Sequence, residues 1–266
     1  MTEEDYAERV VSDRIPKHVY KYKSLAGKSK DHVRDLVVNQ RLYFPAPSDL
    51  NDPFECRPNL TTSATADQQR RYIDGLVKRM NPEASRPVRR RIAQEVRSDP
   101  AKFRATMMAS TQATLSAMGV FSLSSNPLDL LMWPHYADNH RGVCVRFDLE
   151  ALMDAGEMPF PVEYADERPH CDMILEPTVD WLNKAVLTKG RPWEYEREWR
   201  IVRNCGGRKV LTLTEHTVDG VLLGANVPEA DRALVLQWAQ EAGRPVAVGQ
   251  ASFHPTAYEL QVESLT

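Results

Sequence analysis

The sequence lacks the patterns that define several common protein classes. Its four cysteines are widely separated along the chain, at Cys56, Cys144, Cys171 and Cys205. A structural zinc site needs cysteines or histidines in close pairs, so this spacing argues against one. His135 and His140 are five residues apart, which suits neither a helical nor a strand pair. We therefore expect no metal site, and the unpaired thiols fit a reducing compartment.

Phosphate-binding loops and membrane-spanning runs are also missing. The chain has 12 glycines but neither GxGxxG nor GxxxxGK, so both usual nucleotide-binding fingerprints are absent. No apolar run approaches the roughly 20 residues that cross a bilayer. Residues 1–5 are acidic, where a secretory signal would be basic and then apolar. We therefore expect a cytoplasmic protein with no membrane partner.

The net charge of −3 conceals a strongly basic segment. Residues 65–104 contain eleven Lys or Arg and five Asp or Glu, so this segment carries +6 and the remainder of the chain −9. A basic helical surface on an acidic body can attract a polyanion, which makes nucleic acid a candidate partner. The alternative is a solvated face whose charges pair with the acidic body.

Strand-like and helix-like segments alternate irregularly along the chain. Parallel-sheet proteins alternate the two regularly, whereas here the strands occur in clusters between helices of uneven length. This pattern predicts an α+β fold with a mixed or antiparallel sheet and flanking helices. Residues 1–266 are predicted to form a single domain with a helical lobe inserted at about 65–118, and residues 1–16 a short helix or arm.

Three local predictions concern segments near the candidate site. Asp99 followed by Pro100 predicts the start of the last helix of the lobe, because Asp is a good cap and Pro suits the first helical turn. Residues 159–164 are predicted to form a weak strand. Residues 171–189 are predicted to form one helix.

The most informative stretch is Trp193–Val202, where carboxylates run into an alternating apolar pattern. An extended chain from residue 196 places every second side chain on one face. These are Glu196, Glu198, Arg200 and Val202. Trp199 and Ile201 would then enter the core. A nearby arginine makes it easier to ionise a pair of carboxylates.

A solvated strand end with a surface Glu–Arg pair is the alternative explanation for this stretch. Its flanking aromatic residues favour a ligand site instead. For Asn51, Asp52 and Glu55, we favour a structural turn built on Asx hydrogen bonds and held by Pro53, and the second possibility is a polar rim to a cleft.

Four short segments carry a family resemblance. They are Tyr20–Ser24, Leu42–Glu55, Leu131–Cys144 and Trp193–Arg200, which contain the patterns YKYKS, LYF with NDPFE, LMWPHYA with GVC, and WEYEREWR. In this order they resemble the bacterial family known as domain of unknown function 2971. The resemblance covers roughly residues 18–225. Membership of that family implies no reaction.

A weaker resemblance suggests one. An early polar and aromatic strand, a following helix and a late Glu-x-Glu strand entry are similar to ADP-ribosyltransferases, several branches of which are bacterial toxins or defence proteins. These enzymes bind NAD in a cleft of a split antiparallel sheet. The resemblance implies that Glu198 is the catalytic carboxylate and Glu196 the acceptor-orienting one. A carboxylate beside the ribose stabilises the oxocarbenium-like state in which the nicotinamide–ribose bond breaks.

The same resemblance implies a set of NAD-contacting residues. ADP-ribosyltransferases usually have Arg or His in the first strand, whereas this chain has Lys21, which can meet a diphosphate as a point charge without a bidentate fork. The candidates for contact with the nicotinamide or the ribose are Tyr20, Tyr22, Tyr43, Trp133, Tyr136 and Arg200. His135 could act as a general base or bind the ribose, and an equally good explanation is that it caps a packed Trp133 and Tyr136.

Two other classes of function stay open. A Mg²⁺-dependent nuclease or phosphoesterase would bind its metal through four carboxylates, Asp52, Glu55, Glu196 and Glu198, while the basic lobe held the nucleic acid. A non-catalytic binding module of a defence or toxin system would use the same surface without chemistry. The first hypothesis remains an NAD-dependent ADP-ribosyltransferase or NAD glycohydrolase.

Overall fold

The computed structural model describes residues 15–204, 207–213 and 216–265. Cys205 and most of the predicted N-terminal arm therefore lie outside the described residues. Fourteen strands occur in the described part of the chain. They are β1 His18–Lys23, β2 Arg41–Phe44, β3 Asn59–Thr61, β4 Gly119–Ser124, β5 Val143–Asp148, β6 Phe160–Pro161, β7 Glu163–Ala165, β8 His170–Asp172, β9 Thr188–Gly190, β10 Glu198–Arg203, β11 Lys209–Thr212, β12 Val218–Leu223, β13 Ala247–Phe253 and β14 Leu260–Ser264.

The helices of the described residues include three that make up the lobe and several short ones. They are α1 Lys28–Asn39, α2 Ala66–Met80, α3 Arg86–Ser98, α4 Pro100–Ser116, α5 Met132–Tyr136, α6 Leu149–Asp154, α7 Thr178–Leu187 and α8 Glu229–Glu241. Two 3-10 turns span Pro47–Asp49 and Arg191–Glu196. No helix in the described part of the chain is long and apolar enough to cross a membrane.

Eight strands form the main sheet, in the order β14-β13-β12-β5-β1-β4-β10-β6. Only β12 and β13 run parallel, and the other pairs of this sheet are antiparallel. Shorter pairs join β2 to β11, β3 to β8 and β7 to β9. The predicted α+β class with a mixed, mostly antiparallel sheet is confirmed.

The main sheet is nearly divided between β1 and β4. The two strands share a single registered pair, Tyr20 opposite Ser124, whereas β1 and β5 pair along six residues. Ser124 also lies opposite Glu198 on β10. Because residues directly opposite in an antiparallel pair point to the same face, Tyr20, Ser124 and Glu198 form one row across three strands.

The opposite face of these strands carries the main core. Trp199 and Ile201 of β10 are buried there, as their alternation with the charged residues predicts. They pack in one cluster with Phe121 of β4, Phe147 of β5 and the inner face of α1. The sheet is therefore apolar on the helix-covered side and polar where the row of Tyr20, Ser124 and Glu198 lies.

Helices α2, α3 and α4 occupy the segment between β3 and β4. Asp99 caps α4 by accepting a hydrogen bond from the Lys102 backbone N–H at 2.9 Å, and Pro100 begins this helix, as predicted. Ile73, Val77 and Ala93 form the small core of the lobe. At its other end, α4 packs against the turn Pro47–Asp49 beside the cleft described below.

Two local predictions were wrong. The weak strand at 159–164 is two short strands, β6 and β7, in different sheets. The segment 171–189 holds a helix only at 178–187, with β8 before it and β9 after it. Asp172 accepts hydrogen bonds from the Ile174 and Leu175 N–H groups, and Pro177 disfavours helix in the residue before it, so the helix begins late.

Candidate functional site

A polar cleft lies on the face of the sheet where β1 and β4 separate. Its volume is about 130 Å³. It is lined by residues from the segments of the family resemblance and by two elements between them: Tyr20, Lys21, Tyr22, Asp49, Leu50, Asn51, Glu55, Ser122, Leu123, Ser124, Met132, Tyr136, Lys189, Glu196 and Glu198. The early tyrosine-rich strand and the late Glu-x-Glu segment therefore meet at one cavity.

Glu198 is held on the wall of the cleft by cations. The Arg200 guanidinium donates from Nε to Oε1 at 2.8 Å and from Nη2 to Oε2 at 2.9 Å. Lys189 Nζ donates to Oε2 at 2.9 Å. Burial alone would raise the pKa of Glu198, but the charges of Arg200 and Lys189 and a hydrogen bond from Ser122 hold it well below its usual range. Glu198 is therefore ionised at neutral pH.

Glu196 reaches the same lysine from the preceding turn. It belongs to the 3-10 turn rather than to β10, so the predicted extended chain from residue 196 is wrong by two residues. Arg197 adopts a left-handed conformation with φ 43° that reverses the chain between the two glutamates. Tyr136 Oη donates to Glu196 Oε1 at 2.5 Å, and Lys189 Nζ donates to Oε2.

Two hydroxyl groups fix the backbone of the Glu196–Glu198 segment. Ser124 Oγ donates to the Glu196 carbonyl at 2.7 Å. The Glu198 N–H donates to Tyr164 Oη at 2.7 Å. The carboxylate pair is thus positioned by β4 and β7 as well as by its own strand, which keeps its geometry independent of a ligand.

Lys189 is the residue that sequence reasoning missed. It lies in β9, where its side chain is 7% exposed and bridges Glu196 and Glu198. Burial alone would lower the pKa of Lys189, but the two glutamates raise it, so the ammonium stays charged. Nothing in the sequence around Lys189 marks it, because its partners depend on how β9 pairs with β7.

Arg200 does not face the cleft. Its side chain is 0% exposed, and beyond Glu198 its Nη1 donates to Glu55 Oε1 at 2.7 Å and to the Val186 carbonyl at 2.6 Å. The prediction that Arg200 binds a cofactor is therefore corrected: it holds two carboxylates in place. Burial raises the pKa of Glu55, and the charge of Arg200 opposes that rise.

The buried ionic cluster consists of Glu55, Glu196, Glu198, Lys189 and Arg200. Three carboxylates share two cations, so these five groups carry one net negative charge when all of them are ionised. Lys21 lines the same cleft and interacts with Glu196 and Glu198, so it offsets part of that charge only in the molecules in which it is protonated. In a site of low dielectric, that charge interacts strongly with a cation placed beside it. The cleft is therefore suited to a positively charged group.

Lys21 fills the gap where β1 and β4 part. Its Nζ donates to the Ser122 carbonyl at 2.5 Å and lies 4.8 Å from the centre of the Phe121 ring. Burial, with a contribution from Lys23, lowers the pKa of Lys21 to about 7. The Lys21 ammonium thus donates to a carbonyl group that would accept a backbone hydrogen bond if β1 and β4 paired over a longer stretch.

The low pKa of Lys21 predicts a change of stability with pH. Between about pH 7 and the ordinary lysine value of 10.5, the unfolded chain binds more protons at this residue than the folded one, so the free energy of unfolding rises with pH. We expect this rise to be smaller in Lys21→Met by up to about 2 kcal/mol between about pH 7 and pH 9. Urea unfolding at both pH values measures it.

Lys17 is the matched control, since it is an exposed lysine just before the same strand. Lys17→Met is expected to follow the wild-type pH dependence. Equal pH dependence in wild type and Lys21→Met would show that Lys21 keeps an ordinary pKa in the folded protein.

The tyrosines predicted to contact a ligand differ in their access to the cleft. Tyr20 and Tyr136 line it and are partly exposed. Tyr22 lines it as well, but the residue is 4% exposed and its hydroxyl donates to the Asn126 carbonyl at 2.7 Å. Tyr43 lies elsewhere, on β2, where its ring stacks on His32 at 5.7 Å, so it is removed from the site.

Trp133 and His135 are also placed outside the cleft. Trp133 is 0% exposed, packs edge-on against Tyr22 and donates from Nε1 to the Pro127 carbonyl, so it cannot stack on a ligand. His135 is exposed and its Nδ1 lies 2.9 Å from Tyr195 Oη. Of the alternative, in which His135 caps a packed Trp133 and Tyr136, only the packing of Trp133 is confirmed, because Tyr136 lines the cleft and His135 contacts Tyr195. A catalytic His135 has no geometric basis.

The NDPFE loop combines a turn with a cleft rim. Asp52 accepts a hydrogen bond from the Phe54 N–H at 2.8 Å, which forms the predicted Asx turn. Asn51 lines the cleft together with Tyr136, and Glu55 joins the ionic cluster. The turn therefore has a structural role and also presents two polar groups to the site.

One group of possible metal ligands lies away from the cleft. Within the described residues, His18, Asp148 and Asp219 are the set whose ligand atoms come within 4.8 Å of one another. Asp219 is bound by Arg146 Nε at 2.7 Å, and Asp148 caps α6 by accepting from the Ala151 N–H. Both carboxylates therefore have structural roles without a metal.

The fold and the cleft together define the class of this protein. It is an α+β protein with a polar cleft, walled by a buried carboxylate pair, at a near-division of its main sheet. Residues 132–201 match a family described as Protein of unknown function (DUF2971), which confirms the resemblance over that segment. The matched segment contains Tyr136, Lys189, Glu196 and Glu198. No curated protein and no solved structure matches the chain.

Proposed function

We propose that this protein cleaves NAD at the bond between nicotinamide and ribose, as an ADP-ribosyltransferase or an NAD glycohydrolase. The observation that carries the proposal is the excess negative charge of the ionic cluster on the wall of the cleft. Both the nicotinamide ring of NAD and the ribose carbon of the transition state are cationic. A fixed anion beside them lowers the barrier to bond cleavage.

The size and lining of the cleft support a ring-shaped occupant. A cavity of about 150 Å³ holds one benzene ring, so the volume of about 130 Å³ suits a single small ring such as nicotinamide. Tyr20 and Tyr136 supply aromatic surface on the wall. The rest of the dinucleotide would extend out of the cleft.

The proposed reaction uses the two glutamates differently. The C1′–N bond breaks and its electron pair moves to the ring, so nicotinamide leaves as a neutral molecule. Glu198 stabilises the positive charge left on the ribose. The oxygen or nitrogen of water or an acceptor then bonds to C1′, and its proton passes to Glu196 or to solvent. Tyr136 and Lys189 hold Glu196 for that role.

The Mg²⁺-dependent alternative has less support. Glu55, Glu196 and Glu198 are already paired with Lys189 and Arg200, so a divalent cation would have to displace these buried ion pairs. The fourth proposed ligand, Asp52, caps its own turn. A metal site would require the whole cluster to rearrange at the cost of leaving buried cations unpaired.

Nucleic acid is the acceptor that we propose for transfer. Within the described residues, Arg97 is the one cation of the segment 65–104 with an ion-pair partner, and that partner is Asp74 in the same lobe. Among the residues that the structure describes, these cations therefore have no partner in the acidic body. Several of them line one groove between α2 and α3, among them Lys78, Arg86 and Arg90. The proposed biological role is in bacterial defence or as a toxin.

The test is release of nicotinamide from NAD by the purified wild-type chain. We expect release that proceeds without added Mg²⁺ and persists in EDTA, with free ADP-ribose as product when no acceptor is added. Chromatography separates nicotinamide, ADP-ribose and NAD. Magnesium-dependent degradation of nucleic acid without nicotinamide release would overturn the proposal in favour of a nuclease. A chain that is inert in both assays would also overturn it.

A further inference from the structure

A second, larger groove adjoins the cleft and is not used by the proposed reaction. Its volume is about 610 Å³, within the range of about 300–1,000 Å³ that is typical of small-molecule sites. Its walls come from the NDPFE loop, the segment 165–169, the end of α7, and β9 with the residues after it. The side chains that matter are Phe54, Arg57, Arg168, Lys189 and Trp193.

Lys189 lines both cavities and forms the wall between them. Its ammonium binds Glu196 and Glu198, so the groove adjoins the carboxylate side of the cleft. Tyr20 and Lys21 lie on the opposite strand, β1, and do not line the groove. A molecule in the groove therefore approaches the reacting centre from the side of the two glutamates that Lys189 binds, one of which is proposed to take the proton of the acceptor.

Two aromatic side chains of the groove are available for stacking. Phe54 is 64% exposed. The Arg168 guanidinium lies 6.0 Å from the centre of its ring. Trp193 is partly exposed, and Lys189 Nζ lies 5.0 Å from the centre of its ring. Such surfaces bind flat rings, and base stacking on them is tolerant of sequence.

The charged groups of the groove favour an anionic partner. Arg57 and Arg168 have no ion-pair partner among the described residues. Asp166, by contrast, is bound by Arg191 Nε at 2.9 Å, and Asp52 is engaged in its turn. Glu167 is the remaining acid on the lining. Aromatic faces next to guanidinium groups suit a base that carries phosphates.

We propose that this groove binds an unpaired base of a single-stranded nucleic acid and presents it as the acceptor of ADP-ribose. The proposal rests on the proposed function for the transfer step, but the binding itself does not. In that step an N–H or O–H group of the bound nucleotide bonds to C1′, its proton passes to Glu196, and nicotinamide leaves with the electron pair of the broken bond. The basic lobe adds affinity for phosphates without reading the base.

The test measures binding without NAD by fluorescence anisotropy. The probes are a labelled single-stranded oligodeoxynucleotide of mixed sequence, the oligoribonucleotide of the same sequence, an abasic oligonucleotide of the same length, and the duplex. We expect the wild type to bind at least one base-bearing single strand about tenfold or more tightly than the abasic strand, because stacking of one base is worth about that factor. The duplex should show no such advantage.

Variants of the two aromatic residues of the groove test whether these residues cause the tighter binding of base-bearing strands. Phe54→Ala and Trp193→Ala should each remove most of the advantage of bases over abasic sites, while binding of the abasic strand stays within about twofold. Tyr258 is the matched control, because it is a fully exposed aromatic residue elsewhere in the chain, and Tyr258→Ala should behave like wild type. Thermal unfolding of each variant checks that it is folded.

Equal affinity of the wild type for every base-bearing single strand and the abasic strand would overturn the proposal, and so would an advantage that survives in both folded aromatic variants. Nicotinamide release by the wild type is measured separately. If release occurs but bases bring no advantage, the groove proposal fails and the proposed reaction stands. If bases are preferred but no nicotinamide is released, the groove is a nucleic-acid site and the proposed reaction fails.

Discussion

Glu198→Gln is expected to lower the rate of nicotinamide release from NAD by about 10²–10³-fold, which corresponds to about 3–4 kcal/mol of lost transition-state stabilisation. The substitution keeps the size of the side chain and removes its charge. The ionic cluster then has two carboxylates for two cations, so the uncompensated negative charge disappears. A cationic transition state loses the interaction that the cleft is proposed to supply, and the loss should appear in kcat.

Two further variants separate this electrostatic role from a structural one. Glu263→Gln is the matched control, since Glu263 is an exposed glutamate on the edge strand β14; its rate should equal that of wild type. Glu196→Gln should reduce transfer to an acceptor more than it reduces hydrolysis. Equal rates of nicotinamide release in wild type and in folded Glu198→Gln would contradict the catalytic assignment.

Arg200→Met is expected to lower the free energy of unfolding by about 3–5 kcal/mol, because removing one partner of a buried ion pair leaves uncompensated charge in the interior. Arg200 is 0% exposed, and Glu198, Glu55 and the Val186 carbonyl all accept hydrogen bonds from it. Methionine replaces the aliphatic part of the side chain and none of these bonds. The domain would lose a large share of its stability.

Urea unfolding measures the loss in free energy of unfolding, and two further variants give smaller expected losses for comparison. Arg34→Met removes an exposed arginine whose pair with Glu241 is worth at most about 1 kcal/mol. Arg200→Lys keeps the charge but not the bidentate geometry, so its loss should be intermediate. The loss in Arg200→Met should shrink as pH falls, because the stranded carboxylates can then take up protons in the folded state. A loss no larger than that of Arg34→Met would contradict the structural role of Arg200.

The features of this fold that local chemistry dictates could be predicted from the sequence. Trp199 and Ile201 enter the core because a strand alternates its faces every two residues, whatever its neighbours are. The Asx turn at Asp52 and the cap at Asp99 depend only on a few adjacent residues. The late start of α7 also has local causes, the turn at Asp172 and Pro177, but Asp172 is in addition held by Ser63, 109 positions away, which the sequence does not reveal.

The candidate site was predictable in outline and not in detail. Glu198, Tyr20 and Tyr136 meet at one cleft, as the order of the motifs suggested. The role of Lys189 could not be predicted, because its side chain reaches the two glutamates only when β9 pairs with β7. The prediction that Tyr43 contacts a ligand was wrong because β2 pairs with β11 rather than with the main sheet. The prediction for Trp133 was wrong because its sequence neighbours do not reveal that its side chain is fully buried.

Because the main sheet is nearly divided, a ligand bound in the cleft would affect the stability of the whole molecule. With one registered residue pair joining β1 to β4, few backbone hydrogen bonds hold the five-stranded portion to the three-stranded one. A ligand that touches Tyr20 on the first portion and Glu198 on the second therefore adds a bridge between them. The shared core already packs the two portions against each other, and a small molecule bound tightly at the cleft would add to that packing and raise the free energy of unfolding.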